Sequence, residues 1–373
     1  NVLLEWEHSW KRRQQAGEET IKKTFFSRQK EGILVSFAIQ LFTIPLVAYS
    51  YYEIPVYAML INLFVLAVVN GLLGLTVLGV IVGMAFLPAG RVLFAPCGWM
   101  LDSYRFLCEV SLKIPGAQRI TGKPAHMRIF WYYLGLGVFL LAIYACARRN
   151  EKHKDCRETA DLCVSRRKKR LQGIVFSCFI AFLLLFLLFP QKKSFEIDFL
   201  DVGQGDGIYL CTGGGTSMFI DGGSTDVKQV GKYRILPFLK AKGVSEISYW
   251  FVSHTDTDHV SGLKEVLVSG YRVEYLVFAK AVEKEAKTKE LAELARSHGT
   301  KVLYMQAGDT VRSKRAAMRC LYPKAADKAE DVNDLCLVLQ FEEGDISALF
   351  GGDISTDAVS YTHLRAHETS AHL

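Results

Sequence analysis

The sequence has no cysteine framework. Nine cysteines are spread through 373 residues. Cys97, Cys108, Cys146 and Cys178 fall in or beside apolar blocks, where a thiol behaves as a small hydrophobe. Cys156 and Cys163 share a basic loop without zinc-knuckle spacing, and Cys211, Cys320 and Cys336 are isolated in strand-like segments. A disulfide-stapled scaffold is therefore not expected. Also lacking is a signal-peptide pattern ahead of the first apolar block, and the chain begins with Asn1 rather than Met, so it reads as a fragment. The glycine-rich Gly203-Gln-Gly205-Asp206 has no following Lys-Ser/Thr and opens no helix, which excludes a P-loop. It reads instead as a tight turn that brings Asp206 and its backbone close to a site. The long apolar blocks have no polar face, which argues against core helices of a soluble protein.

Half of the residues are hydrophobic, unevenly distributed. Up to Pro190, apolar blocks alternate with basic junctions; beyond it the pattern is that of a soluble α/β domain. A helix crosses a bilayer in about 20 residues. Candidate spans are 33–51, 129–147 and 173–189, while Val56–Leu87 is too long for one span and divides at Asn70-Gly71 into 56–70 and 72–87. Phe94–Ile114 carries Asp102, Arg105, Glu109 and Lys113 and reads as an amphipathic helix at the interface or packed on the bundle. Ten Lys and Arg lie between Arg148 and Arg170, five of them in the run 166–170, and the opening segment is basic at Lys11-Arg12-Arg13 and Lys22-Lys23. Lys and Arg stay preferentially in the cytoplasm. Five spans starting inside then put the domain after Gln191 outside the cytoplasmic membrane. Nucleic-acid binding is the other use of such a run.

From Ser194 the order is strand, turn, strand, helix, as in a sheet layer covered by helices. The apolar strand Ile247–Val252 delivers His254-Thr-Asp256-Thr-Asp258-His259 into a loop ahead of a helix around Gly262–Leu267. Imidazole nitrogens and carboxylate oxygens both bind divalent cations, and alternate residues of an extended segment face the same way. His254, Asp256 and Asp258 then face one cavity, with His259 entering as the chain turns. A solvated polar loop is the alternative. Asp221, at a strand end before Gly222-Gly223, has two readings: a turn residue, or the acceptor for the second ring N–H of a ligand histidine.

Asp201-Val-Gly-Gln-Gly-Asp206, Asp221-Gly-Gly223, Ser253-His-Thr-Asp-Thr-Asp-His259 and Gly352-Asp353 together resemble the metallo-β-lactamase-like domain of ComEC-type DNA internalisation-related competence proteins. Ser36-Phe-Ala-Ile-Gln-Leu-Phe-Thr-Ile-Pro45, Tyr52-Glu-Ile-Pro55 and Asn62-Leu-Phe64 resemble the close of the competence transmembrane domain. The resemblance implies a multi-pass α-helical membrane bundle over 1–190, then an αββα sandwich over 191–359 that is incomplete at its C-terminus. It further implies two divalent metal ions. His254 and Asp256 would serve one and Asp258 with His259 the other, Asp353 would bridge them, and Asp206 and Asp221 would support the site. His254 and Asp258 are the expected catalytic residues. The wider fold superfamily usually has His at position 256; the carboxylate here makes the site harder, favouring Mn²⁺ or Mg²⁺ with Zn²⁺ as the alternative. A further family motif, His-His-Gly, is lacking. Residues 360–373, with His363, His367 and His372, instead resemble a translated sequencing adapter, although the histidines have helical spacing that would suit a metal.

The implied function is DNA uptake in natural transformation at the bacterial inner membrane. The bundle would pass one strand inward and an outward nuclease domain would degrade the other. DNA, the bilayer and other competence-machinery proteins are the implied partners. The alternatives are a membrane-tethered metallohydrolase of another ester without a channel, and a non-catalytic DNA-guiding module.

Overall fold

The computed structural model describes residues 32–114, 116–152, 162–189, 193–327 and 332–354. The N-terminal basic clusters, the expected boundary at 190/191, part of the loop Arg148–Arg170 and the tail 360–373 with its three histidines lie outside them. The chain divides into two compact units, one holding the first four long helices and the other the fifth long helix and the two larger sheets.

In the first unit, α1 (Gly32–Tyr51) is followed by the short strand β1 (Glu53–Pro55), then α2 (Ala58–Ala85), α3 (Leu87–Leu112), β2 (Gln118–Ile120) and α4 (His126–Lys152). The division of 56–87 into two spans does not hold: α2 runs unbroken through Asn70-Gly71. A glycine inside a helix costs about 1 kcal/mol relative to alanine, too little to break a helix with apolar residues on both sides. Gly71 also faces α3, where an added Cβ would lie 3.9 Å from Met100 Cε. Phe86, in extended conformation, turns the chain straight into α3. The two helices run back antiparallel, with Gly83 against Gly90, Gly79 against Phe94 and Thr76 against Cys97. A Cβ on Gly90 would come within 2.6 Å of Gly83 Cα, the close backbone approach that small residues permit in lipid-facing helices. In α4, the Tyr132 hydroxyl donates to the Leu41 carbonyl of α1 at 2.9 Å and that of Tyr133 to Phe42 at 2.8 Å.

Among the described residues, three helical stretches are long and apolar enough to cross a membrane: Gly32–Tyr51, Val68–Ala85 and His126–Cys146. Gly173–Leu188 is a shorter apolar stretch within α5 (Leu162–Leu188), whose beginning contains the basic run 166–170.

The sheet domain contains β3 (Glu196–Phe199), β4 (Gly207–Cys211), β5 (Ser217–Asp221), α6 (Leu236–Ala241), β6 (Glu246–Phe251), α7 (Thr257–Val268), β7 (Arg272–Ala279), α8 (Ala286–Ser297) and β8 (Lys301–Met305). These strands form one six-stranded sheet in sequence order, antiparallel from β3 to β5 and parallel from β5 to β8. A second, antiparallel sheet contains β9 (Thr310–Ser313), β10 (Ala316–Tyr322), β11 (Val338–Glu343) and β12 (Ile346–Phe350).

Alternation decides which core each residue joins. Phe219, Trp250, Leu276 and Phe278 pack with Leu239, Leu263 and Leu291 on the helical side. Met218, Ile220, Phe251 and Val277 pack against Met318, Leu339, Phe341 and Phe350 of the second sheet. Both faces of the central strands are thus buried, which is why they read as continuous apolar runs. Burying a side chain of this size contributes about 1.5–3 kcal/mol. The layers are helix, sheet, sheet.

Candidate metal centre

The site lies at the C-terminal ends of β5 and β6, where open α/β sheets gather their ligands. Four loops and the first turn of a helix converge on it. Asp201–Asp206 links β3 to β4, Asp221–Gly223 follows β5, and Ser253–Asp256 follows β6. His259 stands in the first turn of α7, and Asp353 follows β12.

Glycine is required where the loops meet. A methyl group on Gly205 would overlap the carbonyl oxygens of Asp258 and Gly223, and one on Gly223 would overlap the Asp258–His259 peptide. The Asp206 N–H donates to the Asp258 carbonyl at 3.3 Å, and the Gly223 N–H donates to the Asp206 carbonyl at 3.2 Å. Asp226 fixes the first loop from outside, its Oδ1 accepting the Gln204 N–H and the Ser224 hydroxyl, each at 2.8 Å. Arg234 Nη1 donates at 2.9 Å to both the carbonyl and Oδ2 of Asp201.

Asp221 organises the interior. It is 2% exposed and holds φ +58°, unusual for a residue with a side chain. Its Oδ1 accepts the Ser253 N–H at 2.7 Å, its Oδ2 lies 3.1 Å from His259 Nδ1, and its carbonyl accepts the Trp250 indole N–H. With Nδ1 engaged, His259 directs Nε2 toward Asp353 Oδ2 at 3.3 Å and Asp258 Oδ2 at 3.9 Å. The His254 ring is 4.0 Å from that of His259. Its Nδ1 lies 3.1 Å from Ser253 Oγ and 3.5 Å from Cys336 Sγ, and its Nε2 is 3.9 Å from Asp256 Oδ2.

Ligand atoms of His254, His259 and Asp353 all fall within 4.8 Å of one another, and so do those of Asp206, Asp221 and His259. Asp256 and Asp258 stand outside both groups, at the margin. Asp256 Oδ1 is taken by Lys287 Nζ at 2.8 Å. Sequence reasoning did not identify Lys287 or Cys336, which approach from distant elements. Ser253 was visible as the residue ahead of the motif, but nothing in its type indicated that it touches both imidazoles.

Burial, with Asp221 next, raises the Asp206 carboxyl; Asp353 and Asp258 add to the effect and His259 opposes it. Burial and the neighbouring His259 hold His254 below the ordinary imidazole range. Burial also disfavours the charged form of His259. The hydrogen bond to Asp221 and the charges of Asp221, Asp353 and Asp258 outweigh it, and the pKa is pushed up to about 9. Two buried imidazoles among four carboxylates suit a divalent cation, which would offset the excess negative charge. The residues present therefore fit such a group.

Residues 2–145 match the family model described as competence protein. The chain is 24% identical over 342 residues to ComE operon protein 3 of Bacillus subtilis (strain 168), covering 87% of this chain and 41% of that protein. It is 31% identical over 106 residues to Recombination protein 2 of Haemophilus influenzae, covering 28% of this chain and 13% of that one. The chain thus spans less than half the length of the curated relatives it matches. Among solved structures, the metallo-β-lactamase fold protein YhfI from Bacillus subtilis is similar with 13% identity and a TM-score of 0.29, over 40% of this chain and 55% of that one. Zn²⁺-bound PqqB from Methylobacterium extorquens is similar with 12% identity and the same TM-score, over 42% and 56%.

Proposed function

We propose that this chain, a relative of competence proteins along most of its length, takes part in DNA uptake during transformation. Its sheet domain would hydrolyse the DNA strand that is not imported, while the helices contribute to the passage for the other. The observation that carries the hydrolytic part is the convergence of His254, His259 and Asp353, with the His259 ring fixed by Asp221. The match of residues 2–145 to competence proteins supports the uptake part.

In this reading His254, His259 and Asp353 hold one divalent cation; Asp258, Asp206 and His259 stand nearest a second position. Carboxylates outnumber imidazoles, which favours Mn²⁺ or Mg²⁺ over Zn²⁺. Such ions, when bound, stabilise charge on a phosphodiester and make water easier to deprotonate. The protein's own groups do the rest. Asp221 keeps the proton of His259 on Nδ1, so that Nε2 carries the free electron pair. Asp258, 27% exposed at the margin, accepts the proton of the attacking water. Buried His254 and Trp250 close the floor to solvent. Incubation of the detergent-solubilised chain with an end-labelled oligonucleotide should give cleavage that depends on Mn²⁺ or Mg²⁺ and is lost in Asp258→Ala. Cleavage of a generic phosphate or carboxylic ester, with DNA left intact, would favour the tethered-hydrolase alternative.

The sheet domain is assigned to the outer side of the cytoplasmic membrane. The basic run at the beginning of α5 stays inside, and α5 then carries the chain across. Since α2 is one helix, α3 must itself cross, paired along α2, for the count to remain five. Its charges are partly matched there, Arg105 lying 3.3 Å from Asp102 and 3.8 Å from Glu109. An impermeant thiol reagent applied to intact cells should label a cysteine placed at Lys289; labelling only after permeabilisation would reverse the assignment.

A further inference from the structure

Lys287 lies at the rim of the metal centre, and neither the sequence pattern nor the proposed chemistry gives it a role. It sits near the beginning of α8, 31 residues from the loop it touches, and its Nζ is 2.8 Å from Asp256 Oδ1. The other oxygen of that carboxylate is 3.9 Å from His254 Nε2. A single carboxylate therefore separates the ammonium from the imidazole edge of the site. The lysine side chain is 66% exposed and Asp256 is 41% exposed, whereas His254 is 2% exposed. A polymeric anion approaching the centre meets Lys287 before it meets the histidines.

The pair is easily exchanged. An ion pair at this exposure holds its partners only weakly, and a long lysine stem lets the head group swing while its Cα stays on the helix. Glu285 adds a second negative charge nearby, but it is half-buried with a raised pKa, first because burial disfavours its charge. No acidic residue occupies the first turn of α8. A cation held on the His254 side would draw on the other oxygen of the Asp256 carboxylate and so weaken its hold on the lysine.

We infer that Lys287 is a substrate-contacting residue, leaving Asp256 to bind a backbone phosphate next to the scissile one. The inference rests on the proposed action on DNA. A DNA strand carries one phosphate per nucleotide, about 3.4 Å apart when projected on the axis of a duplex, so a neighbour of the scissile group falls within reach of a residue at the rim.

The test measures binding of a hydrolysis-resistant phosphorothioate oligonucleotide to the full chain, by fluorescence anisotropy across a salt series, for the parent, Lys287→Met and Lys287→Arg. Lys287→Met should weaken binding about tenfold, equivalent to about 1.4 kcal/mol. It should also reduce the slope of log affinity against log salt by roughly one charge. Lys287→Arg should restore both, and Lys287→Met should bind Mn²⁺ at least as tightly as the parent, since Asp256 loses a competitor. Unchanged affinity and slope in Lys287→Met beside a parent that binds would leave the lysine a mere counter-ion and overturn the inference. Loss of Mn²⁺ binding in that variant would likewise make its role structural. A parent chain that does not bind the oligonucleotide would instead sink the DNA reading itself.

Discussion

His259→Ala is expected to abolish metal binding and metal-dependent cleavage together while leaving the sheets folded. His259 is the one residue shared by both ligand groups, and the neighbouring imidazole, His254 at 4.0 Å between ring centres, is already a ligand of the first group. The loss should exceed the 10–100-fold that follows removal of a residue merely supporting a ligand, which is the range expected for Asp221→Asn. Proton bookkeeping gives a second readout. On folding the His259 pKa rises from 6.5 to about 9. Its imidazolium–Asp221 contribution is therefore complete below pH 6.5 and is lost as pH rises through about 9. A cation must displace that proton, so apparent Mn²⁺ affinity should climb with pH until about 9 and then level off. Calorimetry at pH 8, in buffers of different ionisation enthalpy, should record release of close to one proton. Affinity that is flat between pH 6 and 9, or Mn²⁺ binding that survives His259→Ala, would place the cation elsewhere.

The second large effect comes from a residue with no side chain. In Gly223→Ala the new methyl group would overlap the Asp258–His259 peptide, and backbone, unlike a side-chain tip, has nowhere to turn. We expect a stability loss of about 1–3 kcal/mol in a urea titration, and a fall in Mn²⁺ affinity of at least tenfold because the first turn of α7 is pushed from the site. Gly352→Ala should act more mildly from the opposite side. There the Cβ would lie 2.8 Å from Ser253 Cβ, and φ is +57°. Unaltered Mn²⁺ affinity in Gly223→Ala would show that the loops tolerate separation and that their glycines serve only the turns.

Much of this was legible in the residues. The apolar run Ile247–Val252 announces a strand, and β6 spans Glu246–Phe251. The run after it placed two histidines and two aspartates just past one strand end, because the period of two and the following helix are local properties of the chain. The reading of 56–87 as two spans failed for the same reason. Asn70-Gly71 is a local turn signal, but the partner that holds the helix straight, α3, is a tertiary fact. Lys287 and Cys336 were invisible because nothing within ten residues of either points to a carboxylate or an imidazole. The standing of Asp256 could not be read either. Whether it serves a metal or a lysine is decided by α8, a helix that begins 30 residues further along.

One property of the centre concerns mechanics as much as chemistry. His254 and His259 belong to the six-stranded sheet and its helix, but Asp353 hangs from β12, an edge strand of the other sheet, which among the described residues is hydrogen-bonded along one side only, to β11. Edge strands are where sheets fray first. A cation gripped from both sides would therefore act as a clasp across the sandwich, fastening an edge strand of one sheet to a central strand of the other. Any cation that binds the closed arrangement but not the open one adds its binding free energy to the hold between the sheets, about 2.7 kcal/mol at a hundred times its dissociation constant. The ion proposed to cut DNA would thus also govern how long β12 stays in place.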